Sequence, residues 1–131
     1  MSTLFMELFF FSFLLLFFYK THSSMVGEEG HVLGIDVTPT FVNFMKERVS
    51  KDQEEDDSSN VSISLCSPTS TELPNEIADI AFICDVYHHF EYPKTFITSL
   101  RQNLKTNGMI YLIDFYRIPS KMISHEGTYI L

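Results

Sequence analysis

Apolar positions fall in short dense blocks separated by polar or turn-forming residues, and the blocks alternate in period. HVLGIDV (31–37) is an unbroken apolar run containing β-branched residues, with the turn GEEG before it and Thr38-Pro39 after it, which predicts a short buried strand. TFVNFMKERVSK (40–51) follows with Phe41, Met45 and Val49 every four residues, the spacing of one helical face, and Thr38 and Pro39 suit its cap and first turn. VSISLC (61–66) alternates as a strand does, and SPTSTELPNE (67–76) is loop-forming. IADIAFIC (77–84) is nearly continuous in apolar residues, as in a strand covered on both faces. DVYHHFEYP (85–93) reads as a loop. KTFITSLRQNLK (94–105) has Phe96, Leu100 and Leu104 on one helical face, Thr106-Asn107-Gly108 is a C-cap and turn, and MIYLIDF (109–115) is a last buried strand. Strands alternating with helices, the strands apolar along their length, predict an α/β fold with a mostly parallel open sheet.

The start of the chain departs from this rhythm. LFMELFFFSFLLLFFY (4–19) is interrupted only by Glu7 and Ser12, and seven of the thirteen phenylalanines lie in the first 18 residues. Its unbroken part is shorter than the 17–25 residues of a membrane span but matches the apolar core of a signal peptide. The positive N-terminal region of a signal is missing, and a short anchor with Lys20 on the cytoplasmic side satisfies the pattern equally. A helix packed on the sheet, or an alternative start of the chain, are the other readings. An all-apolar helix must be buried in protein or in lipid. On the targeting readings, residues 1–24 form a hydrophobic segment that contacts membrane through 4–19, and 25–131 form the domain.

Composition narrows the partners. A formal net charge of −8 without a Lys/Arg cluster argues against a nucleic-acid partner. Cys66 and Cys84 are not a CxxC pair, and each ends an apolar run, so two free thiols and no zinc or redox motif are expected. KDQEEDDSSN (51–60) reads as a solvated loop; it lacks the glycine-bearing pattern of a calcium loop, so no metal is assigned to Asp52, Glu54, Asp56 or Asp57.

In open parallel sheets ligands bind beyond the carboxyl ends of the strands. Those ends are Asp36, Cys66-Ser67, Asp85 and Asp114-Phe115. A carboxylate at a strand tip, as at Asp36, has two oxygens that can accept from both hydroxyls of a ribose. It serves equally as a favourable charge at the N-terminus of the following helix. His88 and His89 have the near-neutral intrinsic pKa of a general base, and a packing or capping role is the alternative for such a pair in a loop. A zinc site at Cys84, His88 and His89 lacks a fourth ligand of usual spacing.

Taken in order, GHVLGIDVTPTFVNFMKERV resembles the second strand and following helix of class I S-adenosylmethionine-dependent methyltransferases. ELPNEIADIAFICDVYHHFEYPKTFITSLRQNLKTNGMIYLIDFYR resembles their fourth strand, next helix and fifth strand, and DVYHHF with LK-x-x-G-x-x-x-L-I-D-F is recurrent in the type 11-like members. The resemblance covers about two-thirds of the chain. It implies a Rossmann-like sheet, S-adenosyl-L-methionine as cofactor, and a small-molecule or lipid methyl acceptor. It also implies Asp36 on the cofactor ribose, Val37 on the adenine and the Cys66-Ser67 turn at the adenine edge. Asp85 and Val86 would face the methionine end, with Tyr87 and His88 towards the acceptor. The family often has an acidic residue at the adenine edge, and this chain has none.

The family's first strand ends in a glycine-rich turn that lets backbone approach the cofactor. This chain has no such run; Gly27 and Gly30 belong to a later turn. Residues 11–26 would take the place of the first helix, leaving a partial sheet without its first strand unless residues 4–11 supply a substitute. The last two strands of the family are also not recognisable. A catalytically inactive fragment or isoform acting only by interaction is therefore the alternative function.

Overall fold

A computed structural model of the chain describes residues 4–8, 13–56 and 60–115. They form five strands and three helices: β1 (Leu4–Leu8), α1 (Phe13–Val26), β2 (His31–Asp36), α2 (Pro39–Asp56), β3 (Val61–Leu65), β4 (Ala78–Cys84), α3 (Pro93–Asn103) and β5 (Leu104–Ile113), with a single 3-10 turn at Tyr87–His89. The sheet order is β3-β2-β1-β4-β5, and every neighbouring pair is parallel. This is the α/β architecture that the alternation of elements predicts. It is also the Rossmann-like order in which the first strand lies between the second and the fourth.

β1 changes the picture of the N-terminus. The gap left by the unrecognised first strand is closed by Leu4–Leu8, which pairs with β2 from Leu4↔His31 to Leu8↔Ile35 and with β4 from Phe5↔Ile80 to Leu8↔Ile83. A central parallel strand is covered on both faces and is therefore apolar along its length. A signal sequence is apolar for a different reason but looks the same. Within the 4–19 run, residues 4–8 are this strand and residues 13–19 belong to α1, and no described helix is long and apolar enough to cross a membrane. The membrane-contact reading of the run has no support in this arrangement.

α1 ends where Gly27 takes φ +75°, the left-handed conformation that closes a helix at low cost in glycine, and the Gly30 N–H donates to the Gly27 carbonyl. α1 and α2 cover one core cluster, in which Tyr19, Val32, Val42, Met45, Val49, Val61 and Ile63 are buried. The buried stripe of α2 is thus Val42, Met45 and Val49, with Phe41 only partly buried beside it. α3 covers a second cluster containing Ile35, Ala81, Ile83, Val86, Phe96 and Leu100. Val32 and Ile35 lie an odd number of positions apart on β2 and so point to opposite faces of the sheet.

Two boundaries differ from the pattern reading. α2 continues through Asp56, so the first part of the 51–60 charge run is helix and not loop. Tertiary pairing accounts for this: Asp52 accepts a hydrogen bond from the Tyr19 hydroxyl, and Lys20 Nζ and Arg48 Nε lie 3.3 and 3.8 Å from its carboxylate. The Tyr19 bond, followed by the Lys20 and Arg48 charges, holds the Asp52 carboxyl below its ordinary range, and burial with Asp52 beside it pushes the Tyr19 phenol up to about 12. Tyr19→Phe is expected to lower stability by about 0.5–1.5 kcal/mol, the net worth of one such bond. Because Asp52 is depressed when folded, its contribution is complete above the ordinary carboxylate range and fades as pH falls through the lower folded value. Urea titrations of wild type and Tyr19→Phe should therefore converge towards acid pH.

The second difference is at Thr106-Asn107-Gly108. These residues do not cap α3, which ends at Asn103; they form a bulge inside β5, between the pairs Ala78↔Leu104 and Ile80↔Met109. A Cβ at Gly108 would lie 2.9 Å from the Leu104 Cβ and 3.1 Å from the Ala78 carbonyl oxygen, so the bulge requires glycine there. Asn103, which the pattern does not mark, is 1% exposed and ties the 67–76 loop to α3. Its amide donates to the Leu73 and Pro74 carbonyls at 3.0 and 2.9 Å and accepts from the Thr71 hydroxyl.

Candidate functional site at the carboxyl edge of the sheet

The chain leaves β1 for β2 and β3 on one side and reaches β4 and β5 on the other, so the strand order reverses next to β1. A crevice for ligands forms at such a switch point, beyond the carboxyl ends of the strands. Leu8 pairs with Ile35 on one side and Ile83 on the other. Asp36 and Cys84 are therefore the next residues out on either side of the β1 end, two strand spacings or about 10 Å apart.

Asp36 is 1% exposed. One carboxylate oxygen, Oδ1, accepts from the Thr38 N–H at 2.7 Å, an Asx-type turn that starts α2. The other, Oδ2, is buried with no hydrogen-bond partner among the described residues. Burial raises the Asp36 carboxyl above its ordinary pKa, against the lowering effect of the Thr38 bonds. The helix-charge role is therefore filled by one oxygen only. An orphaned carboxylate oxygen in a buried site costs free energy unless a ligand donor completes it.

The other expected cofactor residues surround this edge. Val37 is partly buried against the second core cluster. The Cys66 N–H donates to the Asp36 carbonyl at 2.9 Å, which fixes the β3 end beside Asp36. Burial, then the Asp36 charge, pushes the Cys66 thiol up to about 12, so it lines the site as an uncharged group and not as a nucleophile. Ser67 Oγ accepts from the Ser70 N–H at 3.0 Å and closes the turn that follows. Both cysteines are free thiols. Asp85 turns the chain sharply after β4 with φ +54°, its N–H bonded to the Ile113 carbonyl at 2.8 Å. Val86 is 1% exposed and belongs to the core, so only its backbone can face a ligand. Tyr87 also leans on that core, its ring 5.4 Å from Phe90.

A grouping absent from the sequence reading lies at the same edge. His88 Nδ1 is 2.8 Å from Asp114 Oδ1 and 4.0 Å from Asp85 Oδ1. The His88 N–H also donates to Asp114 Oδ2 at 3.1 Å, and the Phe115 N–H to Oδ1 at 2.7 Å. The His89 ring stands 4.1 Å from that of His88. The atoms of Asp85, His88 and Asp114 lie within 4.8 Å of one another, close enough to gather around a cation. The Nδ1 lone pair that a cation would need is, however, replaced by a proton in the hydrogen bond to Asp114, because an Asp carboxylate only accepts. The only signal for this pairing in the sequence was that Asp114 closes the last strand, 26 residues away.

Residues 19–112 match the family of type 11 methyltransferase domains. The chain belongs to this methyltransferase family. Among solved structures, a SAM-dependent methyltransferase from Aquifex aeolicus is similar at 25% identity with a TM-score of 0.76, over 96% of this chain and 61% of its own. The YcgJ protein of Bacillus subtilis is similar at 20% identity and TM-score 0.63, over 88% of this chain and 45% of its own. The [4+2]-cyclase SpnF shares the fold at 15% identity and TM-score 0.66, over 83% of this chain and 37% of its own. No curated protein matches the sequence. The methyltransferase chain thus spans less than two-thirds of these structures. Family and structural neighbours together imply S-adenosyl-L-methionine as the cofactor.

Proposed function

We propose that the chain binds S-adenosylmethionine across the carboxyl edge of β2, β1 and β4 and transfers its methyl group to a small-molecule or lipid acceptor. The observation that carries this reading is the buried, unpartnered Oδ2 of Asp36. In a bidentate arrangement, ribose hydroxyls would donate to Asp36, replacing the missing partner with a ligand. Val37 and the Cys66-Ser67 turn would line the adenine side, and Asp85 with the Val86 backbone the methionine side, about two strand spacings away. When bound, the cofactor supplies an already activated sulfonium methyl. The protein therefore has to hold the reactants in line, exclude water and, for some acceptors, remove a proton.

A second reading is favoured by one feature. The connection between β1 and α1 reads Phe9-Phe10-Phe11-Ser12, where the family has glycines that admit the cofactor. A chain that cannot bind there would be an inactive family member acting by interaction. Incubation of the full chain with methyl-labelled cofactor and a small-molecule and lipid extract separates the two. Label entering an extract component, above a boiled-protein control, supports transfer. No cofactor retained by the chain and no labelled product supports the inactive reading.

A further inference from the structure

We infer that His88 is the general base of the site, that Asp114 is its positioning residue, and that the acceptor carries a proton on its attacking atom. This rests on the cofactor reading above and narrows it to acceptors such as hydroxyls, and not thioethers or tertiary amines.

Asp114 is held firmly: its side chain is only 10% exposed, and both of its oxygens accept backbone N–H groups, from His88 at 3.1 Å and Phe115 at 2.7 Å. It presents Oδ1 to His88 Nδ1 at 2.8 Å. A carboxylate accepts and does not donate, so the proton of neutral His88 sits on Nδ1 and the lone pair on Nε2. Free imidazole favours the opposite tautomer, so this one is selected by the protein. The same arrangement fixes the imidazole in hydrolases that use an Asp–His pair. Nε2 has no hydrogen-bond partner among the described residues.

Asp85 Oδ1 is the second carboxylate near Nδ1, at 4.0 Å. The other neighbours are the His89 ring at 4.1 Å and the edge of Phe115 at 5.7 Å. His88 follows β4, so it stands beside the residues that would face the methionine end and its reactive methyl. In the step, the acceptor's proton passes to His88 Nε2 as its attacking atom forms a bond to the methyl carbon. The carbon–sulfur bond breaks with its electron pair going to sulfur, and the imidazolium formed keeps its Nδ1–H bond to Asp114. Charge balances, since the sulfonium's positive charge is replaced by that of the imidazolium. An acceptor without a proton would have no use for this pair.

The test uses the full chain labelled with 15N at histidine. Imidazole nitrogen shifts of neutral His88 should report the Nδ1–H tautomer in wild type and reversion to Nε2–H in Asp114→Ala. Nε2–H in wild type overturns the proposal, whether or not cofactor binds. Calorimetry with S-adenosylmethionine runs in parallel, and His88→Gln should keep wild-type affinity within about twofold. Absence of binding in wild type would sink the cofactor reading while leaving the tautomer result to stand alone. With catechol as the probe acceptor, His88→Gln should lower methyl transfer by about 10²–10³-fold, the usual worth of a general base. Asp114→Asn should lower it less and displace the pH profile, which a packing role would not do. Equal rates for wild type and His88→Gln, or methylation of dimethyl sulfide but not catechol by wild type, would contradict the inference.

Discussion

Asp36→Asn is expected to abolish cofactor binding and yet leave the empty chain at least as stable as wild type. Two hydrogen bonds from a ligand to a buried carboxylate contribute about 1.5–3 kcal/mol each, so their loss should weaken binding by about 10²–10⁴-fold. The stability change runs the other way. The folded Asp36 carboxyl is raised by burial, so the native state holds its proton more tightly than the unfolded chain does. Stability from this group is therefore present below the ordinary carboxylate range and is lost as pH rises through the raised folded value. Asparagine keeps the Thr38 acceptor and removes the buried charge. Melting curves should show wild type losing stability from acid to neutral pH and Asp36→Asn losing less. A variant that melts well below wild type at neutral pH would mean that Asp36 serves the fold and not a ligand.

Leu100→Ala is expected to damage the fold severely. Leu100 is 0% exposed and, with Phe96, joins α3 to Ala81 and Ile83 of β4. Truncating a buried leucine costs about 2–5 kcal/mol, transfer and cavity together. A domain with about 5–15 kcal/mol in total loses a large share of it. Urea titration should show a lower midpoint with an unchanged slope, and Met25→Ala, on a side chain 74% exposed, should show no shift. Because α3 packs behind the β4 end that carries Asp85 and His88, Leu100→Ala should also weaken the site. Asp36→Asn should instead separate binding from stability.

The parts legible in the sequence are those whose local pattern and tertiary role agree. α2 and α3 repeat at helical spacing, β3 alternates, and β2 and β4 are near-continuous apolar runs, so their strand ends locate Asp36, Cys66 and Asp85 directly. The apolar run of β5 reads as buried, yet Met109, Tyr111, Leu112 and Ile113 are exposed because β5 is an edge strand. The parts that were not legible depend on contacts distant in sequence. Leu4–Leu8 pairs on both edges and so is a central strand, whose apolar run a targeting signal imitates. Lys51 to Asp56 look like a solvated loop until Asp52 meets Tyr19 and Lys20 from α1. Gly108 signals a turn, and only the β4 register shows that the turn is a bulge within a strand. His88 alone is an ordinary loop histidine, and Asp114, 26 positions on, is what gives it a defined tautomer.

The connection Phe9-Phe10-Phe11-Ser12 makes cofactor binding by this chain the central claim to measure. The direct measurement is isothermal calorimetry of the full chain with S-adenosylmethionine, beside Asp36→Asn. Saturable binding at one site is expected in wild type and none in the variant. No heat of binding in wild type at millimolar cofactor, or equal affinity in the two proteins, would contradict it.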